Sequence, residues 1–370
     1  MDKTPKVFLE LLKAGLWEKD ARLSVFGEVD YGEVMRLAEE QSVLGLVTAG
    51  LERVKDANVP KEVILQFIGS TLQIEQRNKD MNMFVARLTE NLRKESVYYL
   101  LVKGQGIAQC YERPLWRACG DVDLLLSNDT YEKAKNYLLP LASTVEPEAA
   151  KTRHLGMTIE SWVVELHGTL HSGCFPKMDR VIDDVQRDVF YGGNVRSWIN
   201  GKTTVFLPAP NNDVIFIFTH IIKHFFRGGI GLRQICDWCR LLWTYRDVMD
   251  VKLLEQRLRK ARLVSEWKCF SALAVGWLGM PIEAIPLYEP ANKWKRKANR
   301  VLEYIMRVGN FGHNRDLSYY SNRPYFMRKA ISLGRRISDG LNHLLIFPID
   351  SIRVWFRTII GGLLAVIQKR

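Results

Sequence analysis

Gly120-Asp121-Val122-Asp123-Leu124-Leu125-Leu126 is the stretch on which the fold turns. It is a short strand-like run that opens with two carboxylates. Side chains on a strand alternate between faces, so Asp121 and Asp123 point the same way and Val122 points into a core. Two anions side by side repel each other, and that costs stability unless a cation holds them. An oxygen-only pair suits Mg²⁺, which takes one or two carboxylates plus substrate phosphates. The stretch therefore points to phosphoryl or nucleotidyl transfer.

The flanking sequence supplies the rest of a sheet. Upstream, Val97-Tyr98-Tyr99-Leu100-Leu101-Val102 is β-branched and aromatic, which predicts a buried strand. Lys103-Gly104-Gln105-Gly106 follows as a turn, and a short helix is expected over 107–111. Downstream, Asn128-Asp129-Thr130 should cap a helix over 131–139. Further strands are expected at about 151–159 and 162–166. This order of elements makes a mixed α/β unit around one small sheet.

Both ends read as helical. A rough 3.6-residue period runs through Val34, Leu37 and Ala38, and through Val63, Phe67, Leu72 and Ile74. One long helix is expected over 67–94, with Met83, Phe84, Leu88 and Leu92 inward. After Pro208, Asn211-Asn212-Asp213 should cap a helix to about 226. Gly228-Gly229 should break it, and helices should follow over 232–245 and 251–280. The expected organisation is a helical N-terminal region (1–95), an α/β core (96–207), a helical domain (208–285) and a basic, amphipathic helical C-terminal region (286–370).

The chain has 370 residues, 47% of them apolar and 25% charged, the balance of a globular protein of two or three domains. Its net charge of +12 and pI of about 9.4 fit either simple solubility or a polyanionic partner. The positive residues are spread out, with local clusters at 293–297 and 328–336. Six cysteines without framework spacing, and a start without an apolar leader, predict a reducing cytoplasm. The uncharged stretch at 358–368 is too short to cross a bilayer core of ~30 Å, so no transmembrane segment is expected. The basic amphipathic run at 352–360 suits either peripheral contact with a membrane surface or packing within the fold.

Lys103-Gly104, Arg117, Asp121-x-Asp123 and Glu165 form the candidate constellation. Glu165 sits between Val164 and Leu166, and an anion in a buried strand has to be paired or bound to metal. If its strand lies beside that of Asp121, the three carboxylates could hold two Mg²⁺ (or Mn²⁺) ions ~3.5–4 Å apart, the spacing that clamps both oxygens of an in-line displacement. Glu165 would then also help to deprotonate an acceptor hydroxyl. Gly104 leaves room for a phosphate beside the turn that continues into Gln105, with Lys103 and Arg117 as cations in reach. His167 has the parity to share the carboxylate face. His220, Lys223, His224 and Arg227 form a helical stripe that either faces solvent or lines a nucleotide cleft as a basic wall. His220-x₃-His224 and Cys236-x₂-Cys239 lie within helices, which disfavours zinc. Arg233 and Asp237, at i and i+4, are most simply a helix ion pair.

Leu101-Val102-Lys103-Gly104, Arg117, Gly120-Asp121-Val122-Asp123-Leu124-Leu125-Leu126 and Val164-Glu165-Leu166-His167 together resemble the uncharacterised bacterial nucleotidyltransferase family of the polymerase-β-like superfamily. The likeness continues through Thr219-His220-Ile221-Ile222-Lys223-His224 and Arg233-Gln234-Ile235-Cys236-Asp237. It implies an α+β fold: a small mixed polymerase-β-like sheet with flanking helices. It also implies Asp121, Asp123 and Glu165 as metal carboxylates, and Gly104 near the triphosphate. One departure is Gln105, where the superfamily usually has a second small residue after the glycine. The function expected is Mg²⁺-dependent transfer of a nucleoside monophosphate from an NTP to a hydroxyl. The acceptor is left open among a small molecule, a glycan precursor, a protein and RNA. The alternatives are a degenerate transferase that binds nucleotide without turnover and a toxin-like enzyme acting on tRNA.

Overall fold

The computed structural model describes residues 2–150, 152–173, 175–310 and 325–367. Four N-terminal helices come first: α1 (Lys3–Trp17), α2 (Tyr31–Glu40), α3 (Leu44–Leu51) and α4 (Lys61–Lys94). The sheet region follows as β1 (Tyr99–Val102), α5 (Gly104–Ala108), β2 (Asp121–Leu126), α6 (Asn128–Leu138), β3 (Ala142–Val145), β4 (His154–Ile159) and β5 (Trp162–His167). Next come α7 (Pro176–Tyr191) and a hairpin of β6 (Val195–Asn200) and β7 (Thr203–Pro208). Helices α8 (Pro210–Arg227), α9 (Leu232–Tyr245), α10 (Val251–Ala261), α11 (Val264–Leu278) and α12 (Asn292–Val308) lead to two C-terminal helices, Tyr325–Leu344 and Pro348–Ile367.

The five-stranded sheet runs β1-β2-β5-β4-β3. Strands β2 and β5 are parallel, and the other neighbours are antiparallel, so the sheet is mixed as expected. Both faces are covered, which explains the near-continuous apolar run of β2. On one face Tyr99, Leu101, Val122, Leu124, Val164 and Leu166 pack with Phe84, Leu88 and Leu92 of α4 and with Tyr131 and Leu138 of α6. On the other face Leu100, Val102 and Leu125 join a larger cluster built from α1–α3 and α7–α12. Helices from both ends of the chain therefore share one core, and the carboxylate-bearing face of β2 looks toward it.

Several local expectations shift. Met83 is 55% and Leu72 is 52% exposed. The inward stripe of α4 is instead Met81, Phe84, Val85, Leu88 and Leu92, an i, i+3, i+4, i+7, i+11 set from which position 83 falls away. The short helix starts directly after β1, because Lys103 (φ 59°) and Gly104 (φ 38°) turn the chain sharply there. Helix α8 begins at Pro210, so Asn212 and Asp213 lie inside its first turn, where Asp213 pairs with Arg196 at 2.7 Å. Strand β3 and the β6–β7 hairpin were not foreseen. Five cysteines are buried and free, and Cys174 lies outside the described residues. The basic cluster at 328–336 falls on a helix whose arginine side chains are also outside them. Among the described residues no helix is long and apolar enough to cross a membrane.

Candidate active site

Strand register builds the site. In the parallel β2–β5 pair Asp123 stands opposite Glu165. In the antiparallel β4–β5 pair Gly156 stands opposite Glu165 and His154 opposite His167. Period-two alternation therefore sets Asp121, Asp123, Glu165, His167 and His154 on one face of three adjacent strands. Each of Asp121, Asp123 and Glu165 offers a carboxylate oxygen within 4.8 Å of the others. A Cβ at Gly156 would come within 2.8 Å of Glu146 Oε2 on the neighbouring edge of the sheet.

Each carboxylate is handled differently. Asp123 is 2% exposed, accepts from Lys103 Nζ at 2.6 Å and lies 2.7 Å from His167 Nε2. Burial opposes its charge, but Lys103 and His167 outweigh burial and hold the carboxyl below its ordinary range. Glu165 Oε2 lies 3.1 Å from His154 Nε2 and 3.3 Å from His167 Nε2. Against the cost of burial these two imidazoles hold Glu165 far below the usual carboxylate range. Asp121 goes the other way: the charge of Asp123, then burial, pushes its carboxyl up. Lys103 pays for burial with three anions around it, Asp123 first, which keep its ammonium charged.

The carboxylates open onto a cavity of about 260 Å³ between the sheet and two helices. Helix α8 presents Ile217, His220, Ile221 and His224, and α9 presents Arg233, Gln234 and Asp237. The i, i+3, i+4, i+7 set of α8 forms this wall, but Lys223 is not among the lining residues. Nor is the wall basic. Burial, then Lys103 and the neighbouring His224 and Lys223, depresses His220 well below the ordinary histidine range. Burial and Lys223 bring His224 down to about 3. Both imidazoles are uncharged at neutral pH, and their rings meet at a tilt of 53° with centroids 4.3 Å apart.

The expected cations exchange places. Arg117 touches the cavity, but its guanidinium is committed to Asp237, with Nε to Oδ1 at 2.9 Å and Nη2 to Oδ2 at 2.6 Å. Tyr111 donates to the same carboxylate at 2.7 Å. Asp237 is thus the long-range partner of Arg117 rather than the helix partner of Arg233. Arg233 lines the cavity and donates from Nη1 to Ala118 O at 2.9 Å. Among the described residues its buried Nε has no hydrogen-bond partner. Burial, then Arg117, lowers its pKa. Gln105 is 2% exposed and donates to Asn78 Oδ1 at 3.0 Å, so it supports the turn from behind instead of entering the cavity. Cys236 and Cys239 are core residues whose thiols are raised by burial.

Two contributors escaped the sequence reading. His154 carries a signal only in its register opposite His167, and Arg233 is left to the cavity because Arg117 pairs with Asp237.

Carboxylates on neighbouring strands, a lysine–glycine turn after the first strand and a helical wall opposite make up the candidate site. The chain belongs to the uncharacterised nucleotidyltransferase family, which it matches over residues 27–279. It is also similar to a solved structure, an antigenic nucleotidyltransferase-like protein from Paracoccidioides brasiliensis. The identity there is 14% and the TM-score 0.33, over 54% of this chain and 93% of that one. Among curated proteins no match is found.

Proposed function

We propose that the protein transfers a nucleoside monophosphate from an NTP to a hydroxyl acceptor, with Asp121, Asp123 and Glu165 as the metal-binding carboxylates. The observation that carries this reading is the register that sets Asp123 opposite Glu165, with Asp121 on the same face and all three oxygens within 4.8 Å. The residues fit a divalent cation: the donors are all oxygen, the Lys103 ammonium stands among them as a surrogate cation, and the raised Asp121 carboxyl reports anionic charge in excess. Bound Mg²⁺ or Mn²⁺ ions would neutralise phosphate charge and polarise the acceptor hydroxyl.

The chain's own groups supply the rest. Lys103 exchanges Asp123 for a phosphate oxygen when substrate arrives. Gly104 leaves open the space beside Asp121 O, which a Cβ would approach to 3.3 Å. Arg233, which lines the cavity, offers its guanidinium to charge building on the departing pyrophosphate, in the place where Arg117 was expected as the cation in reach. His154 and His167 hold Glu165 and Asp123 in place, as imidazoles beside metal carboxylates commonly do. The uncharged His220 and His224 present ring nitrogens without adding charge to the wall.

Purified protein incubated with Mg²⁺ and α-phosphate-labelled NTPs, against small-molecule, protein and RNA fractions, tests this. Label transfer with pyrophosphate release, lost in Asp123→Asn, supports it. Transfer that survives in Asp123→Asn rejects the assignment. Tight NTP binding without pyrophosphate release in any fraction favours the non-catalytic alternative. Label confined to RNA, with a steep salt dependence, identifies RNA as the acceptor.

A further inference from the structure

The C-terminal helix Pro348–Ile367 turns an apolar flank to solvent. Ile349, Ile352, Trp355 and Phe356 are 63%, 46%, 42% and 56% exposed, while Ser351 and Val354 face inward. At about 100° per residue these four exposed side chains span an arc of roughly 120°, and Arg353 and Arg357 continue along one edge of it. Leu345, just before the helix, is also 64% exposed. Large apolar side chains gathered this way mark an interaction surface, because water is a poor neighbour for them.

The cationic edge borders a groove of about 360 Å³ where the start of α7, the α10–α11 junction and this helix meet. Its charged lining is Lys177, Arg180, Arg262, Arg353, Arg357 and Asp350. Asp350 accepts from Arg353 at 3.0 Å. Among the described ion pairs none gives Lys177, Arg180 or Arg262 a carboxylate. Partial burial, then Arg262, Arg180 and Arg353, depresses the Lys177 ammonium, as crowded like charges do. Lys177, Arg180 and Arg262 thus carry positive charge that no described carboxylate pairs, beside exposed Ile, Trp and Phe side chains.

A nucleic acid would use the cations and gain nothing from the isoleucines. An anionic bilayer uses both: its headgroup phosphates take the cations, and its headgroup–acyl boundary takes the apolar flank. We propose that this end of the molecule docks on an anionic phospholipid surface, with Ile349, Ile352, Trp355 and Phe356 sunk into the boundary and Lys177, Arg180, Arg262 and Arg353 over the phosphates. The contact is peripheral, since no described helix can span a membrane.

Flotation of the full chain with vesicles of phosphatidylcholine, alone or mixed with phosphatidylserine, tests the proposal independently of any transferase activity. Binding is expected only to the phosphatidylserine vesicles and should weaken as salt rises. Each cation near such a surface is worth about fivefold in partitioning, so Lys177→Glu/Arg180→Glu should weaken binding by about thirtyfold or more. Ile352→Asp/Phe356→Asp should abolish it even at low salt. Arg22→Glu/Lys202→Glu makes the same change in net charge at exposed sites elsewhere and should bind like the wild type. Melting curves check that each variant is folded. Equal binding to neutral vesicles, binding to no vesicle, capture of RNA alone, or an equal loss in the Arg22/Lys202 control would each overturn the proposal.

Discussion

Replacing Arg117 and Arg233 separately by Met should divide stability from substrate binding. Arg117 makes a two-point contact with Asp237, and both side chains are only 6% exposed. Removing the guanidinium leaves a buried carboxylate with Tyr111 as its remaining strong donor. Stranding one charge of a buried pair costs about 3–5 kcal/mol. Unfolding entropy of about 2.1 cal/mol/K per residue over the whole chain gives roughly 0.8 kcal/mol/K, so Arg117→Met should lower the melting temperature by about 4–6 °C. Arg117→Met/Asp237→Leu should recover most of that loss, because the orphaned charge goes as well. Arg233 donates one hydrogen bond, to Ala118 O, and carries a buried Nε without a partner. Arg233→Met should therefore move the melting temperature by less than about 2 °C while weakening NTP·Mg²⁺ binding about tenfold or more, the loss of a charge-assisted contact. Differential scanning calorimetry on the two single variants and the double, beside nucleotide titration of each folded variant, checks both halves. The reasoning is refuted if Arg117→Met melts like the wild type, or if Arg233→Met loses the stability and keeps its nucleotide.

Four further outcomes follow from the site. Asp121 carries a raised carboxyl pKa, so its ionised form costs folding free energy at neutral pH, and that cost fades as pH falls through the raised folded value; Asp121→Asn should melt higher than wild type at pH 7, lose that advantage in acid, and transfer nucleotide at least about a hundredfold more slowly. Asp123 and Glu165 have depressed pKa values, so the stability they contribute is present above the ordinary carboxylate range and lost as pH falls below it, and acid titration of wild-type melting should show a loss beginning there. His154→Ala should leave Glu165 with His167 as its remaining imidazole partner, and a fall of about 10–100-fold in metal affinity or transfer, measured by Mn²⁺ titration and pyrophosphate release, is the expected size for removing such a support. Gly104→Ala places a Cβ at φ 38°, 3.3 Å from Asp121 O, and should destabilise the chain by about 1–3 kcal/mol in urea titration while obstructing the turn beside the carboxylates.

Much of the site was legible because strands repeat every two residues. Asp121 and Asp123 had to share a face, and Glu165 and His167 had to share theirs, whatever the rest of the chain did. An acidic group between Val164 and Leu166 announced a partner, and β5 supplies it by lying parallel to β2. Helix α9 was equally readable, since its apolar residues recur on one face at the helical period. Local spacing misplaced Met83, because only packing against the sheet decides which turn of α4 leads the stripe.

Charge partnership was the part that local sequence could not decide. The i, i+4 spacing offered Arg233 to Asp237, yet Arg117, 120 residues away, takes that carboxylate with a better-aligned fork. The stripe of α8 looked basic, and burial against the sheet leaves its two histidines uncharged. His154 carried no mark until strand register set it beside His167. Alternation and helical period are properties of neighbouring residues, so the chain alone determined the elements and the face that bears the acids. Which ion meets which counter-ion, and which groups stay charged, depends on distance and dielectric across elements, and those exist only once the helices have closed over the sheet.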